Sequence, residues 1–125
     1  MGITVLLADS IVDVRQMERN LLQREPDIEV VGEAADDPEA MMLIKALEPQ
    51  IVLTDFSIRS TGKIFAKQIK SQHPTTKILS VTELKGRYVT NFVKIFGADE
   101  LLDRSQLETE LITTVRFIAL VKLRA

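Results

Sequence analysis

Apolar residues follow two alternating rhythms along this chain. Ile3 to Ala8 is an apolar run broken by one Thr, the pattern of a central strand buried on both faces. From Val12 the spacing turns helical, with Val14, Met17, Leu21 and Leu22 on one face, and Pro26-Asp27 ends the helix. Ile28 to Gly32 reads as a second strand. Asp37 and Pro38 fit the N-cap and first position of a second helix, with Met41, Leu43, Ile44 and Leu47 on its buried face and Pro49 at its end. Ile51 to Thr54 is a third strand, followed by a polar loop from Ser57 to Gly62. Ile64, Phe65 and Ile69 mark a helix that stops at His73-Pro74. Ile78 to Val81 is a fourth strand, and Gly86 to Phe96 a helix with Gly97 as its stop. Asp99 to Leu102 is a short fifth strand, and a last helix runs from Gln106 to about Leu123. Five strands alternating with helices predict one α/β domain over 1–125, a doubly wound parallel sheet with right-handed crossovers.

Chemistry enters at the strand ends. Asp9 follows the first strand, Asp55 the third and Thr82 the fourth. In open α/β sheets, ligands gather beyond the carboxyl ends of the strands. A single acid there reads first as a turn residue or helix cap. Two acids in the same relation to two strands, with a hydroxyl on another, read as a site. Adjacent carboxylates repel, and a hard cation such as Mg2+ relieves that repulsion while keeping several waters. A metal-assisted phosphoryl transfer to a carboxylate is the chemistry this set fits. Neither GxGxxG nor a Walker motif occurs, so the phosphoryl group would come from a protein or small molecule rather than a nucleotide held here.

Composition narrows the rest. At 125 residues with 46% hydrophobic content, the chain suits one domain with its own core. A net charge of −2 gives no general attraction to nucleic acid or anionic membrane. The absence of cysteine excludes thiol catalysis, disulfides and cysteine zinc sites, and agrees with a cytoplasmic setting. The one histidine, His73, lies in a loop and offers no triad. No apolar run reaches the roughly 20 residues needed to cross a bilayer.

The segments Val5-Leu6-Leu7-Ala8-Asp9, Ile28 to Ala34, Ile51 to Asp55, His73-Pro74, Ile78 to Thr82 and Gly97-Ala98-Asp99 together resemble the receiver domain of bacterial two-component response regulators. The likeness is greatest to receivers that precede a helix-turn-helix output domain. It implies a flavodoxin-like fold with strand order 2-1-3-4-5. It also implies that Asp55 accepts a phosphoryl group from a histidine kinase or phosphotransfer protein. Asp9, Asp55 and the backbone carbonyl of Ser57 would hold Mg2+, and Thr82 would be the switch hydroxyl. The domain would act as a regulatory phosphoacceptor rather than an enzyme; an aspartyl phosphatase would carry an acid where Ser57 stands.

Departures from the family pattern cluster around the same site. Ser10 stands where a second acid is usual, which lowers the expected affinity for Mg2+. Arg104 stands for a lysine, exchanging a point charge for a planar fork. Glu83 replaces a small residue, Leu101 the usual aromatic, and the loop after Asp55 is one residue short. These changes support a competing expectation, a pseudo-receiver that works as a phosphorylation-independent interaction or dimerisation module. Surplus apolar residues in 88–96 and 107–123, including Phe117, Leu120 and Val121, suggest a homodimer surface. The apolar C-terminus suggests a following DNA-binding output domain.

Overall fold

Strand β1 (Ile3–Ala8) lies inside a five-stranded parallel sheet, between β2 (Ile28–Ala34) and β3 (Ile51–Thr54). β4 (Lys77–Thr82) and β5 (Glu100–Asp103) complete the order 2-1-3-4-5. The structure is a computed structural model that describes residues 2–55, 61–83 and 97–121. The helix expected over 86–96, the Ser57 position and Leu123 lie outside the described residues.

Helices cover both faces because the strand side chains alternate. Val5, Leu7, Leu53 and Leu79 pack on one face against Leu22 of α1 (Val12–Gln23) and Leu111, Val115 and Ile118 of α4 (Leu107–Leu120). Leu6, Val52 and Ile78 pack on the other against Ile44 of α2 (Asp37–Leu47) and Phe65 and Ile69 of α3 (Thr61–Gln72). These buried runs have no polar face, as expected of strands covered on both sides.

Several local expectations are corrected. The N-cap of α2 is Asp36, not Asp37: the Glu39 N–H donates to Asp36 Oδ1 at 2.9 Å, which moves Asp37 and Pro38 into the first turn. Ala40 and Ile44 form the buried stripe of α2, Met41 and Leu43 are half-buried, and Leu47 is exposed. Ile64 on α3 is likewise exposed, because the period places Phe65, Ala66 and Ile69 inward. On α1, Met17 is exposed and Glu18 is fully buried. Ile11 holds the N-cap position of α1 without a side-chain bond. The last helix is entered through a 3-10 turn, Arg104–Gln106. Asp36→Ala is expected to destabilise the domain by about 1 kcal/mol through the lost cap, read as a lower urea midpoint with an unchanged slope.

The loop into β5 is held by two devices. Gly97 has φ +78°, a left-handed conformation that glycine adopts without a Cβ penalty. Asp99 then accepts from the Ile78 N–H at 2.7 Å and pairs with Lys70 at 2.6 Å. This fixes the start of β5, and so the position at which Arg104 leaves the sheet. β5 begins at Glu100, one residue later than the apolar pattern suggests, because Asp99 is spent on these contacts.

Candidate functional site: an acidic cluster at the carboxyl edge of the sheet

Register brings the strand ends together. Ala8 pairs with Thr54, Thr54 with Ser80, and Thr82 with Asp103. Asp9, Asp55, Thr82 and Arg104 therefore emerge along one edge, from β1, β3, β4 and β5. A hydrogen bond from Thr54 Oγ1 to the Ala8 carbonyl, 2.8 Å, ties the two acid-bearing strands just below the acids. Ser10, beside Asp9, is exposed.

The two acids divide their oxygens between fixed partners and the site. Asp9 is 2% exposed; its Oδ1 accepts from the Ile11 N–H at 2.8 Å. Asp55 Oδ2 accepts from Arg104 Nη2 at 2.6 Å, forming an ion pair that is mostly shielded from solvent. The remaining oxygens, Asp9 Oδ2 and Asp55 Oδ1, are buried and have no hydrogen-bond partner among the described residues. Burial pushes the Asp9 carboxyl above the usual carboxylate range, and the Asp55 charge pushes the same way. The Ile11 N–H, Arg104 and Arg15 work against that rise.

Arg104 reaches the phosphoacceptor position of the resemblance and does not spread into solvent. Its other amino group lies 3.6 Å from Glu83, which is well exposed. The guanidinium thus spans the two acids that follow β3 and β4, a geometry open to a planar fork and closed to an ammonium. Thr82 is half-buried at the end of β4.

Four further residues, Arg15, Glu33, Arg19 and Glu18, belong to this region and carry no motif that marks them. Arg15 donates from Nη1 to the Asp9 carbonyl at 2.5 Å and from Nε to Glu33 at 3.3 Å. Glu33, on β2, also accepts from Arg19 Nε at 2.7 Å, so α1 is tied to the sheet beside Asp9. Glu18 is buried among the same charges with neither carboxylate oxygen hydrogen-bonded among the described residues. Burial first, then the Asp9 and Asp55 charges, push its carboxyl up to about 8. The signal available in the sequence was periodic: Val14, Glu18 and Leu22 are spaced four apart, so a carboxyl stands where the helix faces the sheet.

Among the described residues, no three His, Cys, Asp or Glu side chains converge closely enough to hold a metal by themselves. The site instead offers two unsatisfied carboxylate oxygens. That set suits a hard cation that takes one or two carboxylates and keeps its waters. It does not suit a soft or fully protein-caged ion.

A doubly wound sheet of order 2-1-3-4-5 with paired acids beyond β1 and β3 defines a flavodoxin-like regulatory domain. The response regulator receiver domain family matches residues 5–116, and the chain belongs to that family. Among curated proteins it is 30% identical to protein-glutamate methylesterase/protein-glutamine glutaminase 1 of Xanthomonas campestris pv. campestris, over 98% of this chain and 37% of that protein. It is 35% identical to protein-glutamate methylesterase/protein-glutamine glutaminase 3 of Anaeromyxobacter dehalogenans, over 79% of this chain and 29% of that protein. The chain thus spans about a third of these relatives. Its fold matches the response regulator domain of Thermotoga maritima CheB with a TM-score of 0.85 at 24% identity, over 98% of this chain and 100% of that one. It also matches a LuxR-family two-component response regulator of Aurantimonas sp. SI85-9A1, with a TM-score of 0.84 at 28% identity, over 95% and 86% of the two chains. The protein is a signal-transduction receiver domain. Receiver domains generally bind Mg2+ at an acidic site and are joined to outputs of more than one kind. Among the described residues no helix is long and apolar enough to cross a membrane.

Proposed function

We propose that Asp55 accepts a phosphoryl group from a phosphohistidine on a histidine kinase or phosphotransfer protein, with Mg2+ beside it, and that the acylphosphate alters the surface offered to a partner. The observation that carries this reading is the pair of unsatisfied oxygens, Asp9 Oδ2 and Asp55 Oδ1, at the carboxyl edge of the sheet. Asp9 and Asp55 would hold Mg2+, with the Ser57 carbonyl as the family's third protein ligand. Bound there, the cation would offset negative charge on the transferring group.

The chain's own residues have three tasks. An Asp55 oxygen attacks phosphorus as the phosphorus–nitrogen bond of the donor breaks, and the leaving imidazole keeps its electron pair and takes up a proton. Arg104 neutralises Asp55 beforehand, and its donors are within reach of the new phosphoryl oxygens afterwards. Thr82, at the end of β4, supplies a hydroxyl for one of those oxygens. The exposed apolar residues Phe117, Leu120 and Val121 on and after α4 suit a second copy or an output domain.

The test uses beryllofluoride, a phosphoryl mimic, with Mg2+. Amide NMR signals near Asp55 and Thr82 are expected to shift in the wild type, and Asp55→Asn is expected to abolish the shift. Unmoved signals at millimolar Mg2+ and beryllofluoride would favour the phosphorylation-independent module instead.

A further inference from the structure

Arg104 is held by one close bond and has a second acid beside it. Its Nη2 donates to Asp55 Oδ2 at 2.6 Å, while its Nη1 stands 3.6 Å from Glu83 Oε1. Its Nε is buried and has no partner among the described residues. The guanidinium therefore rests on Asp55 by a single amino group, and its relation to Glu83 is a charge contact too long for a hydrogen bond. A movement of about 1 Å would bring that longer contact to hydrogen-bond length.

The two acids differ in what else they can hold. Asp55 is mostly shielded from solvent, and its Oδ1 is open toward the cation site proposed with Asp9 Oδ2. Glu83, directly after Thr82, is well exposed. A cation on Asp55 Oδ1 would lie across one carboxylate from the guanidinium on Oδ2. Like charges that close repel, and more strongly where water is largely shut out. The guanidinium then needs another acceptor, and an exposed carboxylate takes it up with little desolvation. We infer that Glu83 is a positioning residue for the divalent-cation site, drawing the Arg104 guanidinium off Asp55 when a cation occupies the open oxygens of Asp55 and Asp9. Glu83 acts through Arg104 and is not itself a ligand. Without a cation, the shorter contact keeps the guanidinium on Asp55. This role for Glu83 rests on the cation-binding part of the proposed function.

Calorimetric titration of the full chain with Mg2+, and separately with Mn2+, tests it on four proteins: wild type, Glu83→Gln, Arg104→Ala and the double variant. Glu83→Gln keeps the shape and removes the charge. It is expected to weaken cation binding about threefold, the scale of one exposed ion pair. In the Arg104→Ala background the same substitution is expected to leave the affinity unchanged, because no guanidinium remains to be drawn off. Circular dichroism establishes that the Arg104 variants are folded, and Arg104→Gln takes the place of Arg104→Ala if the alanine variant is not. One negative charge acting on the cation at a distance would weaken binding equally in both backgrounds. That result, or equal affinity in wild type and Glu83→Gln, would overturn the inference. A folded wild type that binds neither cation at millimolar concentration would overturn the proposed cation site, and this role with it.

Discussion

Glu18→Leu is expected to stabilise the metal-free domain by about 4 kcal/mol at pH 8 to 9, and by far less near pH 4. The sign follows from the carboxyl, whose ordinary value of 4.5 is pushed up to about 8 by folding. Between those values the native state holds a proton that the unfolded state has released. Stability contributed by this group is therefore complete below about pH 4.5, falls as pH rises, and is lost above about 8. Leucine removes the titration, and it fills a site bounded by Val14 and Leu22 without a polar group to desolvate. Asp9, also raised by burial, adds a decline of the same sign in both proteins and cancels in the comparison. Urea denaturation in chelator at pH 5, 7 and 8.5 reads the effect. Parallel stability curves for variant and wild type would show that Glu18 does not titrate between 4.5 and 8.

Arg104→Ala is expected to destabilise the domain and to raise its affinity for a divalent cation. The pair with Asp55 is largely shielded and short, 2.6 Å. Removing one member leaves Asp55 beside Asp9 with its main counter-charge gone. A shielded pair broken in this way costs more than a surface pair and less than a fully buried one, about 2 kcal/mol here. The same deletion removes a positive charge that repels Mg2+, so cation affinity should rise about tenfold. Arg104→Lys should recover much of the stability, while losing the fork that spans Asp55 and Glu83. Denaturation and calorimetry on the two variants separate these effects. If Arg104→Ala changed neither quantity, the ion pair would not exist in solution.

The fold was open to reading because β1, β3 and β4 carry largely apolar runs, and Pro26, Pro49, Pro74 and Gly97 punctuate the chain between elements. Ile51 to Thr54 needs only its own four residues to be recognised as a buried strand. Asp55 then falls at a strand end by counting, and so do Asp9 and Thr82. What counting misjudged were helix faces. Met17, Leu47 and Ile64 are apolar, yet their helices turn them outward, where they are 46%, 43% and 57% exposed. A few exposed apolar side chains are ordinary on a folded surface, so composition cannot separate them from core. The cap of α2 slipped by one residue because Asp36 and Asp37 are chemically identical candidates, and only the 2.9 Å bond from Glu39 selects between them.

The sequence by itself determined the sheet, its family and the place of the acids, because those depend on local apolar period and on order along the chain. Tertiary structure alone decided how the acids are used. Arg104 and Asp55 are 49 residues apart, and their pairing depends on the crossover that sets β5 beside β4. Glu18 holds an inward spacing on α1, but the charges its carboxyl meets gather only once α1 is laid on the sheet. Charge pairing is a property of groups brought together from distant parts of the chain, and no local pattern encodes it.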